Sequence, residues 1–145
     1  MRLLLFFCTL LATMDLAAQH PLEGLWQGEM TDSLGTHRFE LLLKIRRNRI
    51  TGRSYYYHED RLITEMDING KFYRDQSMNL YDVRLLKGDD LTGKDPFKRT
   101  YQLAFRRSAF GHTLKGFWQI DNDKVGKELR KLGKLDMRKV VVPKA

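Results

Sequence analysis

From His37 to Arg47 the chain reads HRFELLLKIRR, and its apolar residues fall two apart. Phe39, Leu41, Leu43 and Ile45 share one face, while Arg38, Glu40, Lys44 and Arg46 share the other. A period of two describes a strand with one buried and one wet face. The sequence RRNR then turns around Asn48, and ITGRSYYYHE returns as the second strand of a hairpin. Similar runs, separated by Gly, Asn and Asp, cover Leu22 to Thr31, Leu62 to Phe72, Ser77 to Leu86, Arg99 to Ser108, Thr113 to Asp121 and Lys134 to Val142. The pattern predicts an all-β fold of about eight antiparallel strands in a meander, with turns roughly every dozen residues. Such a meander closes as an up-and-down barrel or packs as a sandwich, and the barrel is the expectation adopted.

A membrane-spanning barrel would need an apolar outer band flanked by aromatic girdles. Lys115 sits on the same strand face as Phe117, Arg106 and Arg107 occupy both faces of theirs, and no aromatic residue ends the last strand. These features argue against that class. One helix is expected, over DNDKVGKELRKLG (Asp121 to Gly133) before the last strand. Asp121 to Asp123 offer an N-cap, Val125, Leu129 and Leu132 recur at helical spacing, and Gly133 can end it.

Residues 1–18, MRLLLFFCTLLATMDLAA, read as a signal peptide cut after Ala18. Arg2 gives the positive start, Leu3 to Leu11 the apolar core and Leu16-Ala17-Ala18 the cleavage site. The expectation is a secreted or periplasmic protein whose mature chain, residues 19–145, is a single domain with no transmembrane segment. Cys8, the one cysteine, lies inside the apolar core and is lost with it, so the domain is stabilised without disulfides or thiolate ligands. The net charge of +8 is spread along the chain. It suits a soluble, self-repelling surface, or one drawn to an anionic envelope surface or protein partner. Export and the lack of a recognition motif argue against nucleic acid.

The first strand contains GLWQG, Gly24 to Gly28, and a second G-x-W stands at Gly116 to Trp118. A G-x-W opening such a meander resembles the lipocalin and calycin group of barrels, which includes the avidin-like and fatty-acid-binding-like families. The stretch GLWQG…DSLGTHRFEL…NRITGRSYY looks most like the first hairpin of avidin-like proteins. The resemblance implies that Trp26 closes one end of the barrel, with Arg138 or Lys139 laid over its ring. The biotin-site pattern departs here, because Gly52 is followed by Arg53-Ser54-Tyr55 and not by a small residue and then a tyrosine. What carries over is the fold.

Within such a barrel the strand after Gly52 turns either Ser54, Tyr56 and His58 inward, or Arg53, Tyr55 and Tyr57. Small residues near a barrel end leave room at the axis, which favours the set with Ser54. Candidate ligand contacts are therefore Ser54, Tyr56 and His58, joined by Arg84 or Asp82 and by Trp118. Trp118 aligns with Leu114 and Ile120 and also suits the core, as do Met66 and Met78. The polar loop KGDDLTGKDPFK, Lys87 to Lys98, is the candidate flap. Two functions stay open: a barrel that binds a small, partly apolar ligand, or an interaction module whose outer face, with Arg53 and Arg61 flanking the tyrosines, makes the contact.

No catalytic motif is present: there is no nucleophile elbow and no phosphate loop. No cofactor is expected. DNDKVGKE begins like a calcium loop but has Val125 where an oxygen ligand is needed and Leu132 at the twelfth position. The four histidines, His20, His37, His58 and His112, are far apart in sequence with no helical pair, so no metal site is expected unless strand pairing brings two together.

Overall fold

The computed structural model describes residues 19–33, 35–88, 98–120 and 131–142. Eight antiparallel strands, β1 (Gly24–Asp32), β2 (Gly35–Arg46), β3 (Arg49–His58), β4 (Arg61–Phe72), β5 (Ser77–Gly88), β6 (Arg99–Arg106), β7 (Thr113–Ile120) and β8 (Lys131–Lys139), follow one another around a closed barrel. The meander read from the alternation is present, and it closes on itself instead of splitting into a sandwich. The helix expected from Asp121 to Gly133 falls mainly outside the described residues; its last three, Lys131 to Gly133, already belong to β8.

Two-residue turns join β2 to β3 and β3 to β4. Between β3 and β4, Glu59 and Asp60 take φ of 49° and 59°, the left-handed pair that a two-residue hairpin needs to match strand twist. Inward residues are those the alternation selects: Phe39, Leu41 and Leu43 from β2, Met78 and Leu80 from β5, Tyr101, Leu103 and Phe105 from β6, and Leu135 and Met137 from β8 are all buried. Met66 and Met78 are both buried, as a core role requires.

Closure depends on β8 pairing with β1 from Trp26↔Lys139 to Thr31↔Lys134. Gly28 makes that approach possible, since a Cβ there would fall on the Asp136 carbonyl oxygen and within 2.6 Å of Met137 Cα. The segment before β1 crosses one end of the barrel, where Leu22 and Trp26 are fully buried. Trp26 Nε1 donates to the Leu22 carbonyl oxygen at 2.9 Å, and its ring meets Phe105 edge-on at 6.0 Å. Lys139 stands opposite Trp26, but its Nζ donates to the Pro21 carbonyl oxygen at 2.7 Å, tying down the plug. Arg138, one residue out of phase, is exposed on the outer wall.

Truncating Trp26 removes a large ring from a fully packed end. Trp26→Ala is expected to lower the unfolding free energy by about 3–5 kcal/mol. Gly28→Ala, which overpacks the closing ladder, should cost about 1–3 kcal/mol. Urea titration of each variant measures both.

Candidate functional site

At the end opposite Trp26 the inward face turns polar. Asp82 is the last inward residue of β5 before the ladder shifts, and it is buried. Its carboxylate accepts from Tyr101 Oη at 2.9 Å and Ser54 Oγ at 3.4 Å on Oδ1, and from the Arg99 backbone N–H at 3.0 Å on Oδ2. Burial pushes the Asp82 carboxyl above its ordinary value, while the Arg99 and Tyr101 contacts act the other way. Burial, reinforced by the Asp82 charge, raises the Tyr101 phenol well above its ordinary value, so it stays a donor.

Arg99 caps this layer. Its guanidinium carbon lies 4.9 Å from the Tyr56 ring centre and 5.7 Å from that of Trp118, positions suited to cation–π attraction. Its Nε is buried and has no hydrogen-bond partner, and the same holds for Thr64 Oγ1, which enters from the position paired with Tyr56. Trp118 Nε1 donates to the Thr31 carbonyl oxygen at 3.2 Å, and Gly133 makes room for the ring, because a Cβ there would meet Trp118 Nε1 at 2.7 Å. The result is a guanidinium held over two aromatic faces, above a buried carboxyl, at the mouth of a packed barrel.

The anticipated residues are placed unequally. Ser54 is buried inward, Tyr56 packs partly buried against the core, and Trp118 is buried beside Arg99. His58 lies at the exposed rim, where its Nδ1 is 3.4 Å from His37 Nδ1. Arg84 is corrected to the outer wall. Ile68 pairs with Asp82 and Asp67 with Arg84, so Val83 is an extra residue that reverses the strand's facing, and Arg84 Nη2 donates to Asp67 Oδ2 at 2.8 Å. Of the pair Arg84 or Asp82, Asp82 faces the interior. Arg99 and Tyr101 escape the sequence reading, yet RTYQLAF carries a signal: Arg99 is in phase with Tyr101, Leu103 and Phe105.

Outside, the tyrosine patch is internally paired. Arg53 meets Glu65 at 2.9 Å and Asp67 at 3.9 Å, and Tyr57 Oη donates to Glu40 Oε2 at 3.2 Å beneath the Arg38 guanidinium. Among the described residues, two shallow concavities of about 450 and 370 Å³ follow the β1–β2 hairpin and the outer face around Arg53, Asp67 and Val83. The candidate flap falls mostly outside the described residues. No described helix is long and apolar enough to cross a membrane.

No protein-family model matches the chain, and no curated protein matches it. Solved structures of avidin-like barrels share its fold. A low-affinity mutant of shwanavidin superposes with a TM-score of 0.58 at 9% identity, covering 85% of this chain and 99% of that one. A complex of mutant shwanavidin with biotin gives 0.56 at 11% identity, covering 85% and 100%. The avidin-like resemblance of the first hairpin is thus met by the whole barrel, as a likeness of fold.

Asp82 makes stability depend on pH. The folded carboxyl holds its proton to higher pH than an unfolded aspartic acid, so folding binds protons and stability falls as pH rises from about 4 through the raised folded value. Asp82→Asn removes that titration. Unfolding free energies across this range should show the wild type losing ground to the variant as pH rises; a difference independent of pH would refute the raised value.

Proposed function

We propose that the protein is an exported carrier barrel whose open end binds a small, partly apolar molecule through an anionic group, such as a carboxylate. The observation that carries this reading is Arg99, a guanidinium laid over Tyr56 and Trp118 with a buried, unpartnered Nε. An unpaired buried donor costs about 1–3 kcal/mol, and a ligand oxygen would recover it. Tyr56 and Trp118 supply flat apolar walls, while Asp82, satisfied by three donors, fixes the Arg99 backbone and orients the site. The filled interior below Tyr101 argues for a ligand held at the mouth rather than swallowed along the axis. Shwanavidin, whose fold is shared, was solved with biotin, which also carries a carboxylate.

The packed interior also favours a second reading, a module that binds an anionic envelope surface or protein by its basic outer face. Against it, Arg38, Arg53, Arg84 and Lys115 are each paired with a carboxylate on the same wall.

Native mass spectrometry of gently purified protein separates the two. A stoichiometric small-molecule adduct is expected, and medium-chain carboxylates and biotin serve as added probes. Arg99→Gln should weaken carboxylate binding by about 10- to 100-fold, the worth of a charge-assisted hydrogen bond. Tyr56→Phe should weaken it less. A bare mass with no response to any probe would overturn the carrier reading in favour of the outer-face module.

A further inference from the structure

Strand pairing brings together two of the four dispersed histidines. His37 on β2 and His58 on β3 lie two residues beyond the Phe39↔Tyr56 pair, facing each other on the rim. Their Nδ1 atoms are 3.4 Å apart, and their ring centres 5.3 Å apart with planes inclined by 38°. A direct N–H···N hydrogen bond would be shorter, by analogy with the usual range of about 2.7–3.2 Å. Two imidazoles on one tetrahedral zinc, each bonded at about 2.0–2.1 Å, hold their nitrogens roughly 3.3–3.4 Å apart and their ring centres roughly 5.2 Å apart. The pair has the second spacing.

A further contact fits the same chemistry. Asp32 Oδ1 stands 3.6 Å from His37 Nε2, a buried nitrogen with no hydrogen-bond partner. That is longer than a hydrogen bond; a small approach on metal binding would let Asp32 accept from Nε2–H, the contact by which carboxylates orient metal-bound histidines. His58 is exposed, so an ion and its waters can reach the pair. The described residues gather no group of three or more protein ligands. The remaining positions would therefore be filled by water or by an anionic ligand.

We propose that His37 and His58 form a two-histidine site for a divalent transition-metal cation, zinc above all, on the barrel rim, with Asp32 as a positioning residue on His37. This site does not depend on the Arg99 reading, because it is tested without any organic ligand. Metal-stripped protein titrated calorimetrically with zinc(II) chloride should bind one equivalent, and cobalt(II) should develop the visible bands of tetrahedral nitrogen coordination. His58→Ala and His37→Ala should each abolish the cobalt bands. Asp32→Asn should weaken zinc by about 10- to 100-fold while keeping the stoichiometry, and His112→Ala, at the opposite end, should change nothing. Thermal melting of each metal-free variant shows that its barrel remains folded. If folded His58→Ala binds zinc as the wild type does, or the wild type binds none, the proposal is overturned and the pair is an imidazole–imidazole contact only.

Discussion

The ladder between β8 and β1 is the constraint on which the rest of the barrel depends. Without it the meander has two raw edges and one apolar face open to water; with it, every strand has two neighbours and the alternation acquires an inside. Gly28 and Gly133 are where the two strands come closest: a Cβ on Gly28 would fall on the Asp136 carbonyl oxygen, and one on Gly133 on that of Thr31. Once the ladder forms, the inward set is fixed by parity. The interior then fills with Phe39, Leu41, Tyr101, Met137 and their neighbours, leaving polar chemistry to the ends.

The two ends answer the same problem differently. Beneath Trp26 the indole is satisfied by Leu22 and the Lys139 ammonium by Pro21, while His112 Nδ1 beside Phe105 is buried with no hydrogen-bond partner. At the mouth a carboxyl is buried at a cost that Tyr101, Ser54 and the Arg99 backbone offset. The guanidinium above it rests on ring faces, a softer partner than a second carboxylate. An end stabilised this way keeps unused hydrogen-bonding capacity, as Arg99 Nε and Thr64 Oγ1 show.

The strands were legible because they alternate and are bounded by turn residues; the inward choice of Ser54 followed from Gly52 two positions earlier. Choosing between Asp82 and Arg84 was beyond the sequence, since both have the same parity and only the extra residue at Val83 separates them. Arg99 was legible in principle, being a cation in phase with an apolar face, but such a residue is more often read as the frayed end of a strand. The nearness of His37 and His58 could not be read at all. It depends on the register of β2 against β3, which one slipped residue would change. The start of β8 ran against helical spacing because closure places Lys131 to Gly133 beside β7.

The same closing ladder sets how the chain reaches its native state. It joins the first strand to the last, so the contact that gives the interior its definition is the most distant in sequence and the last that a growing chain can make. Contacts of that range raise the entropic barrier and slow folding. Until β8 is in place the ladder to β1 is missing, and the apolar faces of the other strands have no closed wall around them.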